Sequence, residues 1–475
     1  MNTLLSAMQT KDSRTENGMV TNSTSLNNCV DLFFQIGAMR GQDKTRLINA
    51  FTKAFGENPL TAMKLLFWAR DVRGGAGERQ IFKDIIEYLA NNRTEVMRKN
   101  IHLISEFGRW DDILTLIGTP LEKAALEVIS KGLSDKNGLC AKWMPRPNVK
   151  NRLTKRQANV IRQYLDLTPK QYRKLLVENS NTVEQLMCAK KWDEIDYSKL
   201  PSKAMSDLMK AFSRNDLARF QDYLGSVEKG EVKINAGAVY PYDIIKNLRA
   251  GNTRGANVQW DALPNFLEDS NESFIPVVDT SGSMYWPESK ITGDLYAGDV
   301  AQSLGLYLSE RNLGPFKDAI MTFNTNPKLC VVSGSLSERY NQLQSIPVGG
   351  STNLFGVYKV ILEKAIEFSV PESEMPTMIM ILSDMEFNSA GSLTAQEMVE
   401  KMYSDAGYKV PKIVYWNLAS RNDKNKPVSF NKQGTALVSG FSTSILGSLL
   451  SGKDMTPLSM MMTVIDSERY SNITV

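Results

Sequence analysis

Asp279, Ser281 and Ser283 fall at alternate positions directly after the apolar run Phe274-Ile275-Pro276-Val277-Val278. One carboxylate and two hydroxyls at that spacing can face the same way on a turn. Oxygen-only donors suit a hard ion, Mg2+ or another divalent cation. Nitrogen and sulfur chemistry is poorly supplied. The chain of 475 residues holds one histidine, His102, which excludes a multi-histidine zinc site and argues against a serine–histidine triad. Cys29, Cys140, Cys188 and Cys330 are scattered, with no Cys-x-x-Cys pair. Neither a zinc ribbon nor a disulfide framework is expected, and a reducing, cytoplasmic setting is.

A second chemistry is basic. Between Lys142 and Leu176 the chain carries Lys142, Arg146, Lys150, Arg152, Lys155, Arg156, Arg162, Lys170, Arg173 and Lys174, opposed only by Asp166. Trp143, Tyr164 and Tyr172 are interleaved. Lysine and arginine neutralise phosphates, and aromatic rings stack on unpaired bases. The same composition also describes a solvated helix face beside a basic loop. The whole chain has a net charge of only +4, so its positive charge is concentrated here.

A third stretch, from Arg70 to Arg79 through Gly74, Gly75 and Gly77, is a glycine-rich loop entering a helix. Such a loop can cradle an anion. It lacks the Gly-Lys-Ser/Thr ending of a nucleotide loop, so a tight helix–helix turn with solvated charges is the favoured reading.

The elements that must position these residues differ between the halves. From Asn27 to about Ala250 apolar residues recur at helical spacing. Leu32, Phe33, Ile36 and Met39 form one stripe, with Gly41 as its expected end, and Pro59 opens a later helix. The spacing of the helical hairpins is that of stacked α-repeats, HEAT-like, without a repeated consensus. Periodicity fades around Gly251, Asn252, Gly255 and Asn257.

From Ser273 strands alternate with helices, which predicts a parallel sheet covered on both faces. Pro276 sits inside the expected central strand, so that strand should either begin at the proline or bulge there. The fold class is therefore α plus α/β. The expected divisions are a flexible tail over 1–26, an α-helical repeat domain over 27–260 and an α/β domain over 265–475. The first residues have only a brief Leu4-Leu5 patch and do not read as a signal peptide. No apolar run is long enough for a transmembrane helix. A hydrophobic share of 42% with 23% charged residues is that of a soluble globular chain.

The Asp-x-Ser-x-Ser pattern resembles the metal-ion-dependent adhesion site of von Willebrand factor A domains. Gly349-Gly350-Ser351-Thr352-Asn353 is similar to the loop that supplies that family's metal-binding threonine, which implies Thr352. Ile379-Met380-Ile381-Leu382-Ser383-Asp384 is similar to the strand that supplies its last aspartate, which implies Asp384. The N-terminal half resembles an uncharacterised plant, viral and phage family. That likeness rests on Phe34 to Arg40, Arg70 to Gly75, Gly108-Arg109-Trp110-Asp111-Asp112 and Lys142-Trp143-Met144-Pro145. Helices joined to an A domain are similar to the Ro autoantigen (TROVE) architecture, a ring of helical repeats closed by an A domain. That resemblance implies a small or misfolded RNA as partner.

The functional expectation is a non-enzymatic RNA-binding scaffold without a membrane, whose A domain docks a partner or braces the helices. The alternative is a module whose metal grips an acidic residue of a protein partner, with no nucleic acid. A Mg2+-dependent hydrolase is the third reading. Phosphotransfer folds of the haloacid-dehalogenase kind carry Asp-x-Asp, and Ser281 stands where the second acid would be. The sequence sets no oligomeric state.

Overall fold

The computed structural model describes residues 10–180, 182–268, 272–419, 421–451 and 455–475. Two short strands, β1 (Ser13–Arg14) and β2 (Val20–Thr21), open it as an antiparallel hairpin. The helical half follows as α1 (Asn28–Ile36), α2 (Lys44–Glu57), α3 (Pro59–Arg70), α4 (Arg79–Asn92), α5 (Thr94–Asn100) and α6 (Ile104–Phe107). It continues with α7 (Glu122–Ser134), α8 (Gly138–Trp143), α9 (Arg152–Tyr164), α10 (Pro169–Asn179) and α11 (Val183–Cys188). Its last members are α12 (Ser202–Asn215), α13 (Leu217–Glu228), α14 (Pro241–Arg249) and α15 (Thr253–Asp261). The starts are local. The Asn27 side chain accepts from the Val30 amide, and Asn58 accepts from Thr61 with Pro59 in the first turn.

α1 ends at Gly37, not at the expected Gly41. The reason lies far along the chain. A Cβ on residue 37 would stand 2.7 Å from the backbone of Ser439 and Gly440, so α1 can pack on the sheet only where it has no side chain.

The C-terminal half supplies β3 (Phe274–Asp279), β4 (Lys290–Thr292), β5 (Leu295–Tyr296), α16 (Ala297–Arg311), β6 (Ala319–Phe323) and β7 (Lys328–Val331). α17 (Leu336–Gln344), α18 (Leu354–Glu367), β8 (Met378–Ser383), α19 (Ala395–Ala406) and β9 (Lys412–Asn417) come next. β10 (Thr435–Ser439), α20 (Ile445–Ser451) and α21 (Pro457–Ile465) complete it.

The main sheet has the order β10-β9-β8-β3-β6-β7. All neighbours are parallel except β6 and β7. The expected all-parallel sheet therefore has an antiparallel edge. The link 324–327 is too short for a crossover and allows only a hairpin return. β3 is central and buried throughout. It begins before Pro276 and carries no bulge, so neither sequence alternative holds. Its ladder to β6 starts at Val277, one residue past the proline that lacks an N–H. α16 lies close over β3 because Gly305 faces Val278; a Cβ there would be 2.4 Å from Val278 Cγ2.

The halves are not separate globules. One hydrophobic core runs through Phe33, Phe67, Phe107 and Tyr470 into Val278, Ile381 and Trp416. A smaller core joins Tyr197, Met209, Phe212, Phe220 and Val258. Two segments cross over as well. Of the flexible tail expected over 1–26, residues 1–9 lie outside the described residues and residues 10–26 are packed on the C-terminal half, with Met19 and Val20 buried. Residues 466–475 return to the helices: Asp466 pairs with Lys64 at 2.7 Å, Arg469 pairs with Asp71, and Tyr470 stacks on Phe107 at 5.5 Å.

Candidate metal centre

The centre lies at the carboxyl end of β3, between its neighbours β6 and β8. This is the switch point of the sheet, where its order leaves a crevice. Asp279 is the last residue of β3, and its Oδ1 accepts from the Ser281 amide at 2.9 Å. That bond tightens the turn and aims the Ser281 and Ser283 hydroxyls together, 3.2 Å apart. Gly349 and Gly350, at φ 106° and 78°, bend the loop before α18 in the left-handed region that favours glycine. The Gly349 amide donates to Thr280 O at 2.7 Å, and the Gly282 amide to Gly350 O at 3.2 Å. The Thr352 hydroxyl thereby reaches Ser281 Oγ at 3.2 Å.

Asp384 follows β8 directly. Met385 after it has φ 67°, a strained value for a side-chain-bearing residue, which turns the chain so that the Glu386 amide returns to Asp384 Oδ1 at 3.2 Å. Of the five residues implied by the sequence, Ser281, Ser283 and Thr352 thus bring their hydroxyls together on the turn that Asp279 tightens, and Asp384 stands near enough for its charge to act on the Asp279 carboxyl. Burial, and then the charge of Asp384, push the Asp279 carboxyl up to about 7. Glu386, also buried, is pushed up to about 7, by burial first.

The donor set fits a hard cation. Mg2+ takes six oxygens at about 2.1 Å, so ligands at right angles stand about 3 Å apart. The Ser281–Ser283 and Ser281–Thr352 oxygens are each 3.2 Å apart. Among the described residues no three His, Cys, Asp or Glu side chains are grouped to hold a metal. The arrangement here is two carboxylates with three hydroxyls.

Sequence reasoning missed the groups around these five. Ser383 Oγ donates to Asp279 Oδ2 and fixes its orientation. Arg421 donates to Asp384 Oδ2 at 2.7 Å and lies over the Trp286 ring, 5.4 Å from its centroid. Asn388 Oδ1 accepts from the Thr352 amide at 3.2 Å. From the N-terminal hairpin, Asn17 Nδ2 approaches Thr352 Oγ1 at 3.4 Å. Only Ser383 had a visible signal, as the neighbour of Asp384 at the end of an apolar run.

The basic residues gather elsewhere, on α8, the following loop, α9 and α10. Lys150, Arg152, Lys155, Arg156, Lys170, Arg173 and Lys174 are exposed. Lys142 is half-buried and pairs with Glu184 at 2.8 Å. Arg146 donates to Ala141 O at 3.2 Å, and Arg162 to Leu167 O at 3.1 Å. The interleaved aromatics divide. Tyr172 is fully buried and donates to Pro145 O at 3.3 Å, and Trp143 is covered by Arg109 at 3.7 Å. Tyr164 alone of the three is exposed. The glycine-rich loop is a tight turn, as expected, but not all its charges are solvated: Arg70, Asp71 and Glu78 are buried and held in ion pairs. Arg70 pairs with buried Asp112 at 2.7 Å, Arg79 pairs with Asp111, and Glu78 is held by Arg40 at 2.8 Å.

Among the described residues no helix is long and apolar enough to cross a membrane. The model of the domain of unknown function DUF7788 matches residues 273–471. The Ro (RSR) protein of Deinococcus radiodurans aligns over 96% of this chain and 96% of its own, at 12% identity and a TM-score of 0.37, a likeness that decides nothing about function. Uncharacterized protein L728 of Acanthamoeba polyphaga mimivirus is 30% identical over 507 residues, spanning 95% of this chain and 87% of that protein. The model of the domain of unknown function DUF2828 matches residues 15–137 and 140–273. With that match over more than half its length, and a relative 30% identical across 95% of it, the chain belongs to the DUF2828 family.

Proposed function

We propose that this protein is a non-enzymatic RNA-binding scaffold, with a divalent cation, Mg2+ by its donor chemistry, bracing the C-terminal half as in a von Willebrand factor A domain. The observation that carries the RNA reading is the state of the basic face. Among the described residues no carboxylate pairs with Lys150, Arg152, Lys155, Arg156, Lys170 or Arg173, and all six are exposed. Cations on such a face release counterions when they meet a phosphate backbone. With Tyr172 and Trp143 committed to packing, the face reads phosphates more than bases, and recognition by shape follows.

The burial of the metal centre bears on the protein-docking alternative. Asp279, Ser281, Ser283, Thr352 and Asp384 are 0%, 1%, 6%, 1% and 2% exposed. An acidic residue of a partner would have to displace Arg421 or the N-terminal hairpin to reach them. Ser281, in place of a second aspartate, weighs against phosphotransfer.

Anisotropy titration of labelled single-stranded and structured RNA at several salt concentrations tests the proposal. The variant replaces Lys155, Arg156, Lys170, Arg173 and Lys174 with glutamine and leaves Arg162, which braces the end of α9. Weaker binding and a shallower salt dependence are expected, by roughly 0.7 per lost contact on single strands. Affinity and slope equal to those of the unaltered protein reject this face. The metal-dependent protein module predicts instead no RNA binding by any form of the chain, and a protein partner released by chelator and by Asp279→Ala but retained by the glutamine variant.

A further inference from the structure

The N-terminal hairpin is fastened to the rim of the metal centre by its turn. Thr15 Oγ1 donates to Phe387 O at 2.7 Å, and the Glu16 amide to Glu386 Oε2 at 2.5 Å. Asn17 Nδ2 donates to Glu386 O at 2.5 Å, and the Ser389 amide donates to Asn17 O at 3.0 Å. Further back, Lys11 pairs with Glu397 at 2.7 Å, and Asn22 exchanges backbone hydrogen bonds with Lys426 at 3.2 and 2.9 Å. These bonds hold one side chain, Asn17, against Thr352 Oγ1 at 3.4 Å. The neighbouring Glu16 carboxylate stands 3.2 Å from Arg421, whose other end is on Asp384.

The candidate donors come from the end of β3 and the turn after it, the residue after β8 and the loop before α18, and the hairpin borders them at Thr352. Asn17 is the polar side chain that the hairpin brings to Thr352, at the edge of the donor cluster. We propose that the segment Thr15–Asn17 is an outer wall of the cation site, with Asn17 positioning Thr352 and limiting how much solvent would reach a bound ion. The ion is then caged within the chain and is not offered to a partner. This inference rests on the proposed metal, and its test separates the two.

Mn2+ is titrated into the full chain, and free ion is followed by electron paramagnetic resonance. Water-proton relaxation reports how much solvent reaches the bound ion. Asp279→Ala identifies the site. Asn17→Ala removes the proposed wall at an exposed position, outside the core. Mn2+ affinity about tenfold weaker in Asn17→Ala is expected, the scale of losing a supporting contact to a metal ligand, together with stronger water relaxation per bound ion. Affinity and relaxation both equal to the unaltered chain overturn the wall and leave the metal standing. Absence of Mn2+ binding, or binding that survives Asp279→Ala, overturns the metal reading and the wall with it.

Discussion

Arg421 Nη2 donates to Asp384 Oδ2 at 2.7 Å, with the arginine side chain 6% exposed and the carboxylate 0%. A fixed cation thus sits beside the densest cluster of buried acid in the site, Asp279, Asp384 and Glu386. Removing one partner of a buried pair leaves the other charge without compensation, which costs about 3–5 kcal/mol.

Arg421→Met is therefore expected to lower stability by about 3–5 kcal/mol without added metal. Saturating Mg2+ should recover more stability in the variant than in the unaltered protein, because an ion bound only by the folded state stabilises it by mass action. Urea unfolding with and without Mg2+ measures both. An equal deficit at every Mg2+ concentration would mean that arginine and ion do not share the same carboxylates.

Gly37 meets Gly440 where α1 rests on β10. A Cβ at residue 37 would press on peptide backbone, which cannot swing aside as a side chain can. Gly37→Ala is expected to destabilise by about 1–3 kcal/mol, the scale of overpacking. Gly56, inside α2 with open space around it, is the contrast. Gly56→Ala should stabilise by about 0.5–1 kcal/mol through helix propensity. Thermal melts of both variants give the comparison.

Asp111 supplies a pH dependence. Burial acts to raise its carboxyl, but hydrogen bonds from Arg109, with the charges of Arg109, Arg79 and Lys83, outweigh burial and hold it below the ordinary carboxylate range. The folded state therefore binds this proton less readily than the unfolded chain. The stabilisation is present above an unfolded value of about 3.9 and is lost as pH falls through the depressed folded value. Asp111→Asn should be less stable than the unaltered protein at pH 7, with the gap closing below about pH 4. Urea unfolding across that range reads it, and a gap that persists at low pH would show that the charge of Asp111 contributes nothing.

What the sequence disclosed depended on how local each signal was. Asp279 and Asp384 each end an apolar run, so the alternation of strand and turn exposed them. Thr352 followed a glycine pair whose bend is itself local. Arg421 lay in a polar stretch that reads as surface, yet its guanidinium is buried by contacts with Glu16, Trp286 and Asp384, all distant in sequence. Asn17 was lost for the same reason, inside residues that looked like a tail. Tyr172 shows the opposite failure. It stands four residues before Leu176 on one buried helix face, and that spacing outweighs its place among cations.

The segments 10–26 and 466–475, each fastened to the opposite half, also bear on how the protein is made. The helices leave the ribosome long before Arg469 and Tyr470, which close over Asp71 and Phe107. Until that segment emerges, Phe107 lacks its stacking ring and the Asp71 carboxylate its guanidinium partner. The first half to be synthesised therefore acquires these contacts late, from a segment of the other half.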